Sequence, residues 1–139
     1  MGAPEPPPPV RMELVPIGVA RTEAGSVPRH WSASQVRGRL LIDPEHAAGL
    51  RDIRPGERIV VLFWFDRSPA FTPAHLVQRT PRAGAEKGVF STCSPVRPNP
   101  VGMSVLRVLG VSGTAIDVEG MDMLDGTPLL DIKPHHEEA

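Results

Sequence analysis

The chain has 139 residues, a formal net charge of −1 and 40% apolar residues. That length suits one domain whose core needs no staples, and the composition excludes a wholly disordered chain. The longest apolar run, Ile59 to Phe65, is seven residues, well short of the ~20 that cross a bilayer as a helix, and the single cysteine, Cys93, excludes an intrachain disulfide.

In chain order, residues 1–10 (MGAPEPPPPV) read as a flexible proline-rich leader. They lack the apolar stretch of a secretory signal, so a cytoplasmic address is expected. Residues 11–139 read as one domain. Glu13 to Ala20 is extended and apolar. Val36 to Ile42 alternates, with Val36, Gly38, Leu40 and Ile42 sharing a face. Pro44 to Leu50 suits a helical turn or two, with Asp43 as N-cap and proline at the first helical position.

Ile59 to Phe65, IVVLFWF, is β-branched and aromatic, as a buried strand should be, and Trp64 within it reads as core. Arg67 to Lys87 reads as a long polar loop. Val89 to Ser91, Met103 to Val111, Ala115 to Glu119 and Leu129 to Ile132 read as further strands. Turn signals separate them at Pro55-Gly56, Ser112-Gly113 and Asp125-Gly126-Thr127-Pro128. Seventeen prolines limit helix elsewhere. The expected fold is mainly β, a small closed or nearly closed β-barrel with little helix, because closure removes exposed edges.

Charge is unevenly distributed. From Arg21 to Arg107 there are 13 basic and 7 acidic residues, whereas from Val108 onward there are 1 basic and 7 acidic. Two readings follow: a basic face for a polyanion, or strands of the two halves pairing so that the charges balance.

Several chemistries are absent. There is no GxGxxG opening a helix and no GxxxxGK[ST]. The five histidines lack zinc-site spacing, so no metal is expected. Two segments remain unusual. GVFSTCSPVRPNPVGMS (88–104) and MDMLDGTPLLDIKP (121–134) are poor in packing residues and rich in proline, glycine and small polar residues. Such backbones present N–H and C=O groups at fixed geometry with few side chains in the way, which suits the wall of a pocket.

These two strings, with IGVARTE (17–23), VPRH (27–30) and LRDIRPGERIVVLFWFDRS (50–68), resemble the TsaA-like (YaeB/TrmO-type) family, whose better-known members are S-adenosylmethionine-dependent tRNA methyltransferases. The resemblance spans about Leu14 to Pro134. It implies a small β-barrel, a homodimer with the methyl donor near the subunit interface, and threonylcarbamoyl-adenosine beside the tRNA anticodon as the acceptor. The implied partners are S-adenosylmethionine and tRNA, with no membrane. Larger relatives carry an extra C-terminal domain.

The family's Pro-Arg-Gln falls on Pro28, Arg29 and His30. Its histidine after the core strand falls on Asp66, followed by Arg67, and the arginine of its GVFATRSP string falls on Cys93. Arg97 and Met103 belong to the matching string, and Asp122 and Asp125 to the second. The donor-binding set implied is therefore Pro28, Arg29, His30, Asp66, Arg67, Cys93, Arg97, Met103, Asp122 and Asp125.

A sulfonium favours nearby carboxylate or carbonyl oxygens, and the donor's carboxylate favours Arg or backbone N–H groups. In-line methyl transfer needs positioning above all. A poor nitrogen nucleophile gains from a general base, for which Asp66, Asp122 and Asp125 are candidates. Asp125 also suits the plain role of a turn residue. Arg97, flanked by prolines, reads as a ligand contact and Cys93 as a small packing residue. The departures at His30, Asp66 and Cys93 leave three functions open: a tRNA methyltransferase, a donor-binding module without transfer, and a methyltransferase for another acceptor.

Overall fold

Period-two alternation carries the barrel segments of this chain into strands. The computed structural model describes residues 2–80 and 84–136. Met1 of the expected leader, residues 81–83 of the expected loop and the last three residues of the expected domain lie outside them. The strands are β1 (Gly18–Arg21), β2 (Arg37–Ile42), β3 (Arg58–Trp64), β4 (Val77–Arg79), β5 (Glu86–Gly88), β6 (Val101–Ser112), β7 (Ala115–Glu119) and β8 (Pro128–Pro134). Six of them close an antiparallel barrel in the order β1-β2-β7-β6-β3-β8, and β4 and β5 form a separate two-stranded ribbon. Short 3₁₀ segments lie at Trp31–Ala33, Pro44–Leu50, Pro73–Leu76 and Val89–Ser91, and there is no α-helix among the described residues.

One face of each strand fills the barrel. Leu40, Val61, Leu106, Val108, Ile116, Val118 and Leu129 are completely buried, and Met121 joins them from the β7–β8 connection. Full burial of side chains of this size stabilises by about 1.5–3 kcal/mol each before entropy is counted. Gly102 on β6 lies opposite Phe63 on β3. A Cβ there would run into the Phe63 ring, so the ring occupies the space that the missing side chain leaves. Phe63 also meets Phe65 edge-to-face, with centroids 5.0 Å apart. Irregular registers at Leu62/Phe63 and Val108/Gly110 bend the sheet into closure.

The uneven charge has a structural answer. Strand β2 pairs with β7 so that Arg37 faces Glu119 and Arg39 faces Asp117, with N–O distances of 3.7 and 2.8 Å. Basic and acidic halves meet across the barrel wall and offset one another there.

Four expectations need correction. Val89–Ser91 is a 3₁₀ turn, because Val89 is buried and Phe90 is 78% exposed, with the Thr92 N–H closing back on the Val89 carbonyl. Arg67 to Lys87 is not one loop: it holds the 3₁₀ segment 73–76 and pairs β4 with β5. The first strand starts only at Gly18, and exposed residues precede Ile17. Trp64 is not core. With Ile59, Val61 and Phe63 turned inward, the alternation places it outside, against Leu14, Pro128 and Leu130.

Candidate functional site

The topology gathers the flagged residues at one rim. The ends of β1, β3 and β7 and the starts of β2, β6 and β8 meet there. The three connections at that rim, 22–36, 65–100 and 120–127, hold every flagged residue except Met103, which lies just inside the start of β6. The opposite rim carries the 43–57 connection. A shallow depression there, lined by Leu50, Arg51, Arg54 and Val111, holds none of the flagged residues.

Asp122 is the best-defined carboxylate of the site. It stands between two buried methionines, Met121 and Met123, which anchor the backbone in the barrel mouth. The N–H groups of Gly120 and Met121 both donate to the Val36 carbonyl at 3.0 Å, and the Ser34 hydroxyl donates to the Met121 carbonyl at 2.6 Å. The hydroxyl of Ser104, fully buried on the inner face of β6, donates a hydrogen bond to Asp122 Oδ1. Burial pushes the Asp122 carboxyl above its ordinary range. The Ser104 hydroxyl, the backbone N–H groups of Asp122 and Trp31, and the neighbouring His30 pull the other way.

His30 caps the 3₁₀ turn 31–33 from one side of this carboxylate. Its Nδ1 accepts from the Ser32 N–H at 3.2 Å and lies 2.6 Å from the Ser32 hydroxyl. With Nδ1 accepting, the neutral ring carries its proton on Nε2. His30 lies against Trp31, with ring centroids 4.9 Å apart, and the Trp31 indole Nε1 is buried with no hydrogen-bond partner. Pro28 is half-buried and Arg29 exposed just upstream.

A second cluster forms around Asp125. The turn Leu124 to Thr127 closes through the Thr127 N–H to the Leu124 carbonyl at 3.1 Å. Gly126 takes φ +85 within it, a conformation that favours glycine. Asp125 Oδ1 accepts from the Thr22 N–H at 3.0 Å, and Oδ2 lies 3.8 Å from Arg21. Arg67 donates to the Asp125 carbonyl at 2.6 Å and sits 3.4 Å from Asp66 Oδ1. The turn role of Asp125 is therefore real, and it also latches the ends of β1 and β3 together.

The remaining flagged residues stand apart from these clusters. Arg97 donates to the carbonyls of Thr92 and Ser94 at 3.0 and 3.1 Å, so it braces its own loop. Cys93, at the centre of that loop, is exposed, which corrects its reading as a packing residue: nothing packs on a side chain facing water. Met103 is 53% exposed on the outer face of β6. At the opposite rim, exposed ligand atoms of Asp43, Glu45 and His46 lie within 4.8 Å of one another; the Glu45 and His46 side chains are 3.6 Å apart.

The sequence matches the family string at Ser104, but sequence reasoning gave neither Ser104 nor Ser34 a role. The signal for Ser104 was its place in the alternation: a hydroxyl at an inward position between Gly102 and Leu106 needs a buried partner.

A family model described as the tRNA-methyltransferase O N-terminal domain matches residues 20–139. An Archaeoglobus fulgidus protein named S-adenosyl-L-methionine-binding protein is 36% identical over 130 residues, covering 91% of each chain. The human tRNA (adenine(37)-N6)-methyltransferase is 39% identical over 101 residues, covering 73% of this chain and 22% of its own. A crystal structure of TrmO from Pseudomonas aeruginosa matches with a TM-score of 0.71 at 30% identity, covering 93% of this chain and 56% of that one. Other curated relatives are also longer: the chain spans 34% and 66% of two of them.

Proposed function

The chain belongs to the family of the tRNA-methyltransferase O N-terminal domain, and from that premise we propose that it binds S-adenosylmethionine at the rim around Asp122 and methylates the exocyclic nitrogen of an adenine in tRNA. One observation carries the reading at the level of chemistry. A partly buried carboxylate, Asp122, is held beside His30 at the barrel mouth within the matched segment.

The residues present fit that donor. The Trp31 indole N–H is an unmet buried donor next to the site. Carboxylates at 66, 122 and 125 suit a sulfonium and an ammonium, and the exposed guanidinium groups of Arg29 and Arg67 suit a carboxylate. Bound, the sulfonium supplies an electrophilic methyl group. The chain's own contribution is to orient: His30 offers an Nε2 proton, Asp122 a fixed negative charge, and the 124–127 turn a rigid backbone. Asp66, exposed and next to Arg67, is the carboxylate freest to take a proton from the acceptor.

A second copy is part of the proposal. The outer face of β3 and β6 presents Leu62, Trp64 and Met103, and exposed Met12 and Leu14 lie beside it. Such an apolar strip suits a symmetric dimer. A tRNA substrate in turn implies a cytoplasmic address. No helix among the described residues is long and apolar enough to cross a membrane.

A second reading, donor binding without transfer, is favoured by the 92–97 loop. Cys93 is exposed, and Arg97 is spent on Thr92 and Ser94 carbonyls. The test is transfer of labelled methyl from S-adenosylmethionine to tRNA, with nucleoside analysis of the product. Label on the N6 of an adenosine supports the first reading. Firm donor binding with no labelled tRNA supports the second.

A further inference from the structure

Asp122 is the meeting point of three elements that are distant in sequence. Ser104 reaches it from near the start of β6, and Trp31 presents its backbone N–H from the 3₁₀ turn that follows His30. Its own main chain belongs to the β7–β8 connection, and β6 passes close to the 31–33 turn. The neighbouring backbone is tied to the same segment, through Ser34 to the Met121 carbonyl and through the Val36 carbonyl to Gly120 and Met121. Asp122 thus sits in a seam between the 28–36 connection and the barrel wall. Its Oδ1 is engaged by the Ser104 hydroxyl.

A proton acceptor for catalysis needs a lone pair directed at substrate. A carboxylate that accepts from a buried serine hydroxyl, with its own N–H and the Trp31 N–H close by, has part of its acceptor capacity committed to the fold. We propose that Asp122 and Ser104 are positioning residues: the carboxylate docks the Pro28-Arg29-His30-Trp31 segment onto the barrel, and Ser104 is the buried donor that fixes its orientation. The consequence for donor binding rests on the function proposed above, but the docking itself does not. Ser104 then acts only through Asp122. The chemistry asked of position 122 is that of an acceptor, which an amide oxygen can also supply.

The experiment is amide hydrogen exchange of residues 28–36 in the ligand-free chain, for wild type, Ser104→Ala, Ser104→Cys, Asp122→Ala, Asp122→Asn and the double variant Ser104→Ala/Asp122→Ala. Far-ultraviolet circular dichroism checks that each is folded. Ser104→Ala and Asp122→Ala should each speed exchange at the Trp31 amide about tenfold, the scale of one lost buried hydrogen bond. The double variant should add little, because both remove the same contact. Asp122→Asn should stay within about threefold of wild type, its amide oxygen accepting in place of the carboxylate. Ser104→Cys nearly preserves the volume and keeps a weaker donor, so an intermediate rate supports the role if Ser104→Ala proves unfolded.

Affinity for S-adenosylmethionine should fall in Ser104→Ala and Asp122→Ala along with the faster exchange, whereas Asp122→Asn, which keeps the docking but removes the negative charge, isolates the share of donor affinity that the charge itself supplies. Unchanged exchange at Trp31 in both Ser104→Ala and Asp122→Ala overturns the proposal. So does an Asp122→Asn variant that retains slow exchange and donor binding but loses methyl transfer, since that pattern marks a base. A wild type that binds no donor refutes the proposed function, and the exchange data still decide the anchor.

Discussion

Gly102→Ala offers the sharpest probe of how the barrel mouth is packed. The nearest atoms to a Cβ at this position all belong to the Phe63 ring. Phe63 is 3% exposed and also packs edge-to-face on Phe65. The ring therefore has little room to yield, and the added methyl is overpacked. Overpacking of this kind costs about 1–3 kcal/mol. The pair is the last but one of the β3–β6 register, at the barrel mouth, but the ring is almost fully buried, so the upper part of that range is expected, about 2–3 kcal/mol. At this chain length the melting temperature should drop by roughly 8–12 °C. Phe63→Leu alone should cost about 1–2 kcal/mol through lost ring burial. In the double variant the methyl has space, so the combined loss should fall short of the sum by at least about 1 kcal/mol. Urea denaturation of the four proteins measures the cycle. Strict additivity would refute the reasoning, since it would mean that the alanine methyl and the ring never compete.

Other outcomes follow from the same geometry. Gly126→Ala should destabilise by about 1–2 kcal/mol, because its φ of +85 is costly for any residue with a Cβ; unchanged urea stability contradicts this. Arg39→Ala and Asp117→Ala remove a 2.8 Å ion pair whose side chains are 61% and 40% exposed. A double-mutant cycle should give only about 0.2–1 kcal/mol, declining with salt. Burial raises the Asp122 pKa above its ordinary 3.8, so the folded chain holds that proton more tightly than the unfolded one. Stability of wild type relative to Asp122→Asn should therefore improve as pH falls through the raised folded value towards the unfolded one; a difference that moves against wild type on acidification contradicts the assignment.

The barrel was readable where alternation is long. Ile59 to Phe65 and Met103 to Val111 contain inward residues at every second position, and the strands formed around them with small boundary shifts. The β4–β5 ribbon was not readable, because Val77–Arg79 and Glu86–Gly88 are three residues each with almost nothing to bury. Their pairing rests on backbone hydrogen bonds and on Gln78, which donates to the His75 and Val96 carbonyls. Trp64 shows a signal that was present and outweighed. The alternation that buries Phe63 turns Trp64 outward, yet aromatic character alone suggested core.

At the site, motif and proline content marked the right rim connections but not their joints. Asp122 meets Ser104 and Trp31 only because β6, β7 and the 28–36 connection converge at one rim, a consequence of strand order rather than of any local pattern. Arg97 is the converse case. Its rigid Pro-Asn-Pro setting suggested projection to a ligand, whereas the guanidinium folds back on its own loop. The charge asymmetry suggested two readings of equal weight, and the β2–β7 register supports charge balance at those strands.

Calorimetric titration of S-adenosylmethionine into the purified chain, with S-adenosylhomocysteine in parallel, tests the central claim most directly. The account predicts micromolar binding, about −8 kcal/mol, for wild type and a marked loss in Asp122→Ala. Absence of binding heat for both ligands, at several temperatures, would contradict it.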